Sequence, residues 1–137
     1  MFGAVRWQRY PCAVRPGTVL VVDAANVVGT RADGWWKDRA GAARRLHEEL
    51  LVGDTPFDEI VLVLEGGAKG GVKAGRDQHV RTVHAPRDGD SEIERQAKDA
   101  VDRGARVTVI TADNFLRARV QGIGAMAMSP SWLLSHL

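Results

Sequence analysis

Thr18-Val19-Leu20-Val21-Val22-Asp23-Ala24-Ala25-Asn26-Val27-Val28 decides how the rest of the chain reads. Its first five residues are β-branched or apolar and run unbroken into one carboxylate, after which two small residues lead to an amide. An apolar run of that length has the pattern of a strand buried on both faces, as in a parallel sheet covered by helices. Such sheets bind ligands outside the carboxyl ends of their strands, which is where Asp23 falls. A charge closing a buried strand is costly without partners.

Outward from this stretch, Gly29-Thr30-Arg31-Ala32-Asp33-Gly34-Trp35-Trp36 is rich in turn residues and reads as a loop. Between Lys37 and Val52, Ala43, Leu46, Leu50 and Leu51 recur at helical spacing, and Gly53-Asp54-Thr55-Pro56 ends that helix. Ile60-Val61-Leu62-Val63-Leu64 is a second buried strand that also ends on a carboxylate, Glu65. Gly66 to Gln78 holds five glycines with Lys69, Lys73 and Arg76 and reads as a flexible basic loop. His79 to His84 is a third strand, Pro86-Arg87-Asp88-Gly89 punctuates, and Asp90 to Arg103 is a helix closed by Gly104. Arg106-Val107-Thr108-Val109-Ile110 is a fourth strand ending at Thr111-Ala112-Asp113. A helix to about Gln121, a short fifth strand over Gly124 to Met128 and a helical turn or two from Pro130 to Leu137 complete the pattern.

Strands alternating with helices imply right-handed crossovers and a parallel sheet. The expected architecture is one three-layer α/β/α domain over residues 18–137, with a central, mainly parallel sheet of about five strands. Residues 1–17 show no period and are expected to form a loosely packed arm, with Trp7 or Tyr10 docking on the body.

At 137 residues the chain is long enough for one domain with its own core. Its 45% apolar and 26% charged residues are ordinary for a globular protein. A formal charge of +2 neither demands nor excludes nucleic acid. The single cysteine, Cys12, rules out an internal disulfide and a cysteine-rich metal site, and fits a reducing compartment. No stretch approaches the roughly 18 uninterrupted apolar residues of a membrane span. Arg6, Arg9 and Pro11 interrupt the apolar residues that a signal peptide would need, so a cytoplasmic protein is the expectation.

The chemistry lies in the acids. Asp23, Glu65 and Asp113 stand at or just past the ends of strands, while Asp90 opens the helix after the third strand with Glu94 one turn on. A parallel sheet gathers them along one edge. Packed carboxylates repel unless a cation neutralises them, and hard oxygen ligands suit Mg²⁺ or Mn²⁺. Such sites hydrolyse phosphodiesters by activating water and stabilising charge on the leaving oxygen. Asn26 is placed to orient a ligand, a water or the loop itself.

Each acid also has a plainer reading. Asp113 can cap the helix that starts at Asn114. Ser91 and Glu94 match a capping box, and Asp88, Gly89 and Asp90 match turn chemistry. Lys69, Lys73 and Arg76 can follow a phosphate backbone or simply be solvated. Trp35 and Trp36 can stack on bases or close over the core. The glycines after Glu65 lack the Lys-Ser/Thr of a phosphate loop, no dinucleotide fingerprint is present, and the four histidines share no ligand spacing.

Val21-Val22-Asp23-Ala24-Ala25-Asn26-Val27 resembles the D-G-x-N-V/I motif that opens NYN domains of the PIN-like nuclease superfamily. Asp90-Ser91-Glu92-Ile93-Glu94 is similar to the A-D-S-x-I-E element of the YacP-like branch, and Thr111-Ala112-Asp113 resembles the T-S/A-D at the fourth strand. The likeness runs from Thr18 to the C-terminus, departing where Ala24 replaces glycine and where Asn114 follows Asp113. The resemblance implies a PIN-like fold, Mg²⁺ or Mn²⁺, and ribonuclease activity. Asp23, Asp90 and Asp113 would be the metal-binding and catalytic acids, with Glu94 second in line and Asn26 supporting.

RNA is then the expected partner, reached through Lys69, Lys73 and Arg76, and a protein partner or homodimer stays open. The alternative is a PIN-like module that holds RNA or protein without turnover. A dehalogenase-type phosphatase needs a second acid where this chain has Ala25, and a phospho-receiver needs an aspartate where it has His84-Ala85-Pro86.

Overall fold

A computed structural model describes residues 17–137. The expected N-terminal arm, Trp7, Tyr10 and Cys12 included, lies outside the described residues apart from Gly17. Strand β1 (Thr18–Asp23) runs parallel to β2 (Glu59–Leu64) on one side and to β5 (Arg106–Ile110) on the other. Val21 stands level with Val61 and Val109, and Val22 with Leu62 and Ile110.

Alternate residues of these strands supply two separate cores. Leu20, Val22, Ile60, Leu62, Leu64 and Ile110 face α1 (Ala24–Gly29), α2 (Arg39–Val52) and α5 (Pro130–Leu134). Val19, Val21, Val61, Val63, Val107 and Val109 face α3 (Gly89–Asp102) and α4 (Asn114–Gly122). Burial on both sides explains why the strands carry no polar alternation. Each Val, Leu or Ile side chain buried this way contributes about 1.5–3 kcal/mol. On α2 the buried face is Ala42, Ala43, Leu46 and Leu50; on α3 it includes Ile93, Ala97 and Ala100, at helical spacing.

The remaining strands are β3 (Gly75–Asp77), β4 (Val80–His84) and β6 (Met126–Met128), and the sheet order is β3-β4-β2-β1-β5-β6. All neighbours are parallel except β3 and β4. The sheet therefore has six strands, one more than expected. The extra strand and a 3-10 segment (Gly66–Gly71) occupy the region read as a flexible loop. A strand of Gly75, Arg76 and Asp77 with every residue exposed has no apolar signature; only its backbone pairing with β4 defines it. Gly71 serves close packing, because a Cβ there would meet the Ala40 carbonyl oxygen on α2 at 2.0 Å.

Two further local differences matter for the site. Ala24–Gly29, where no element was expected, forms a short helix whose first turn is capped by Asp23. Helix α3 starts one residue early, and its cap is Asp88 rather than Ser91: Asp88 Oδ1 accepts the Ser91 N–H at 2.7 Å. The Ser91–Glu94 capping box is thus not formed.

Connectivity then opens a crevice. Helix α1 leaves β1 toward one face of the sheet, whereas α4 leaves β5, its neighbour, toward the other. Chains that diverge from adjacent strands leave a gap outside the strands' carboxyl ends, the usual ligand position of open α/β sheets.

Candidate active site

Asp23 closes β1 at one lip of this crevice and is only 3% exposed. Its Oδ2 accepts hydrogen bonds from Asn26 Nδ2 and, at 3.0 Å, from Thr111 Oγ1. The Asn26 N–H approaches Oδ1 at 3.4 Å. Burial pushes the Asp23 carboxyl above its ordinary value; Asn26 and Thr111 oppose that rise, and the charge of Asp90 adds to it. The partners demanded by a buried strand-end charge are therefore present.

Thr111 reaches both ways. While its hydroxyl donates to Asp23, the same Oγ1 accepts the Asp113 N–H at 3.1 Å. Asp113 Oδ1 accepts from the N–H groups of Phe115 (2.8 Å) and Leu116 (3.1 Å), capping α4. The plain capping reading of Asp113 thus accounts for one oxygen, and Oδ2 has no hydrogen-bond partner among the described residues. Phe115, the next residue but one, is 81% exposed.

Asp90 lies in the first turn of α3. Burial raises its pKa first, then the charge of Asp113; Glu65 and Asp88 push the same way and Arg119 opposes them. Glu65, just past β2, is tied to the same helix start: its Oε1 accepts the Gly89 N–H at 2.9 Å. Gly89 permits this approach, since a Cβ would stand 2.9 Å from Glu65 Oε2. Asp23, Asp90, Asp113 and Glu65 are accordingly gathered at one end of the sheet, close enough for Asp90 to sense two of the others and to be sensed by Asp23.

Glu94 is placed differently. It accepts from Arg119 Nε of α4 at 2.8 Å, and both side chains are partly exposed. Lys69 lies in the 3-10 segment that follows Glu65, and Lys73 is exposed beyond it. Arg76, on β3, is ion-paired with Glu59 at 2.5 Å, at the amino end of β2 and so toward the opposite end of the sheet.

No group of three or more His, Cys, Asp and Glu among the described residues is already drawn together as a metal-ligand cluster. The donor chemistry still suits a hard cation. Among the described residues Asp23 Oδ1 has only a long contact and Asp113 Oδ2 has none, and Asp90 owes its raised pKa to burial and like charge.

Beside the acids lies a cavity of about 320 Å³, lined by Ala24, Ala25, Trp35, Arg39, Glu65 and Arg87 among others. Arg119 and Arg39 were not legible as site residues, because each meets the acids or the cavity from an element distant in sequence, and Arg87, three residues before Asp90, sat in a segment that read only as a turn. Thr111 carried a usable signal: a hydroxyl ending a buried strand two residues before an aspartate.

A six-stranded, mostly parallel sheet between helical layers, with acids beyond its strand ends, is the expected PIN-like α/β/α architecture. Two solved structures share it. Rae1 (YacP) from Bacillus subtilis superposes with a TM-score of 0.59 at 20% identity, over 85% of this chain and 71% of that one. Its W164L mutant gives 0.56 at 19% identity, over 86% and 73%. At that identity the likeness is one of fold, and it falls on YacP, the branch that the segment Asp90–Glu94 resembles. The chain matches no family model and no curated protein.

Proposed function

We propose that this chain is a ribonuclease that cleaves RNA internally, using Mg²⁺ or Mn²⁺ held by Asp23, Asp90 and Asp113. One observation carries the reading: the buried Asp23 is linked through Thr111 to Asp113, while the charge of Asp90 raises Asp23 and the charge of Asp113 raises Asp90. Carboxylates left in mutual repulsion at the end of a sheet are a site poised for a cation. The fold shared with YacP and the three motifs in chain order support the same conclusion.

When bound, the cation supplies charge neutralisation and activation of a water. The protein's part is positional. Asn26 and Thr111 occupy Asp23 Oδ2 and hold the carboxylate in one orientation, so that Oδ1, which has only the long Asn26 N–H contact, would be available to a cation. Arg119, steadied by Glu94, moderates the charge of Asp90, which makes Glu94 a supporting residue. RNA is the proposed partner. Of the three basic residues, Lys69 stands closest in sequence to Glu65 and would meet the phosphate backbone first, with Lys73 next; Arg76, paired with Glu59 toward the other end of the sheet, would be reached only by RNA that extends that far. The cytoplasm is the proposed compartment, in keeping with a single cysteine.

The test is cleavage of a closed circular RNA, which has no ends and so reports internal cutting alone. Wild type should linearise it with Mn²⁺ or Mg²⁺ and not in chelator, and Asp23→Asn should lose this while its thermal midpoint in EDTA stays at or above wild type. Equal cleavage by the variant contradicts the proposal. A second reading, a module that binds RNA without cutting, draws on the absence of a ready-made ligand cluster among the described residues. Retention of RNA without cleavage across both metal titrations would favour it.

A further inference from the structure

We infer that the cavity beside the acids is a nucleotide subsite that holds the base of a single-stranded RNA residue neighbouring the scissile phosphate; the inference rests on the ribonuclease reading. The cavity shares its walls with the site: Ala24 and Ala25 directly follow Asp23, and Glu65 belongs to both. Its volume, about 320 Å³, is at the small end for a ligand pocket, room for one nucleotide and too little for a duplex.

The lining has the chemistry a nucleotide needs. Trp35 offers an aromatic wall and is seated against the core on the α2 side of the sheet. Trp36 meets it edge-on at 6.1 Å, and the Arg39 guanidinium sits 5.5 Å from its ring centroid, so the indole is held from two sides. Most of the other lining residues are small (Ala24, Ala25, Ala43, Gly66 and Ala68), so little side-chain bulk competes with a flat ring for the cavity. Bases stack on such indoles whatever their identity.

Polar groups stand at the rim. Glu65 uses Oε1 on the Gly89 N–H, and its Oε2 accepts nothing from the described residues, which leaves an acceptor for the N–H edge of a base. Arg39 and Arg87 are exposed guanidinium groups, neither in an ion pair among the described residues. Guanidinium forks suit phosphate oxygens. A cation pair, a stacking face and a free carboxylate oxygen converge on one cavity beside the acids.

The test uses ¹⁵N-labelled full-length protein titrated with guanosine 5′-monophosphate in EDTA, where no metal-dependent cleavage runs. Wild type should bind, with shifts centred on Trp35 and on residues 65–68. Trp35→Ala should weaken binding about tenfold or more, in line with the loss of one base stack, and Trp35→Phe should retain most of it. Arg87→Gln, an exposed change that leaves the core untouched, should weaken the monophosphate more than guanosine itself. Absence of binding to millimolar nucleotide, shifts confined to another surface, or wild-type affinity in both Trp35→Ala and Arg87→Gln would overturn the subsite. Binding by a wild type that cleaves no RNA in Mg²⁺ or Mn²⁺ overturns the ribonuclease reading alone; cleavage without binding overturns the subsite alone.

Discussion

Thr111 Oγ1 donates to Asp23 Oδ2 at 3.0 Å across a sequence separation of 88 residues. The bond ties the end of β5 to the end of β1, and because the same oxygen accepts the Asp113 N–H, it sets the spacing of two acids at once. A hydrogen bond to a charged, buried acceptor contributes about 1.5–3 kcal/mol. Thr111→Val keeps the shape and removes the donor. It should destabilise the fold by about 1–3 kcal/mol at neutral pH and weaken Mn²⁺ binding, whereas Thr111→Ser should restore both. Urea unfolding with and without Mn²⁺ measures this, and wild-type behaviour of the valine variant would count against the relay.

Asp113 has two duties that substitution can separate. Asparagine caps helices as well as aspartate does, whereas alanine costs about 1 kcal/mol. Asp113→Asn should therefore keep wild-type stability in EDTA yet lose metal-induced stabilisation and cleavage. Asp113→Ala should lose stability as well, by about 1 kcal/mol. Thermal midpoints in EDTA and in Mn²⁺ check the pair. A cation at a hundred times its Kd should stabilise wild type by about 2.7 kcal/mol, and equal Mn²⁺ stabilisation of Asp113→Asn would remove Asp113 from the ligand set.

Stability should depend on pH with a definite sign. Burial, then nearby charge, raises the folded-state carboxyls of Asp23 and Asp90. The folded protein thus holds these protons more tightly than the unfolded chain, and its stability falls as pH rises from the unfolded carboxyl pKa of about 4 through the raised folded values. In EDTA, Asp23→Asn should gain on wild type over that window and hold the gain above it. Added Mn²⁺ should reverse the order at neutral pH. Glu59 and Glu92 act oppositely: burial would raise them, but Arg76 and Arg81 hold Glu59 low, and Arg95 with Gln96 does so for Glu92. Their contribution is present above the unfolded pKa and lost as pH falls through the folded one. Denaturant unfolding of the Asp23→Asn and wild-type pair from pH 4 to about 8 reads the difference; a difference independent of pH would contradict the assignment.

Glu94 should prove secondary. Its pair with Arg119 is partly exposed at both ends, and such pairs contribute about 0–1 kcal/mol. Glu94→Gln should leave stability within about 1 kcal/mol of wild type and lower cleavage far less than Asp90→Asn. Parallel rate measurements of the two variants decide it, and equal loss would move Glu94 into the ligand set.

The buried strands, the two large helices and the strand-end acids were legible because burial on both faces writes unbroken apolar runs such as Val19–Val22 and Ile60–Leu64. What escaped had no apolar signature or depended on distant partners. Strand β3 is exposed at every residue, and α1 is defined by Asp23 capping small residues. Asp88 displaced Ser91 as the cap of α3 because it stands one residue outside the first helical turn. The tie between Thr111 and Asp23 and the cavity of Trp35 with Arg87 arise only when the sheet brings separate segments to one end.

The central claim is that Asp23, Asp90 and Asp113 hold one site for a divalent cation. Anomalous scattering from crystals grown or soaked with Mn²⁺ tests it most directly. The account predicts a peak within coordination distance of carboxylate oxygens from all three aspartates, lost in Asp23→Asn crystals. A saturated Mn²⁺ soak with no peak there, or with peaks only at other carboxylates, would contradict it.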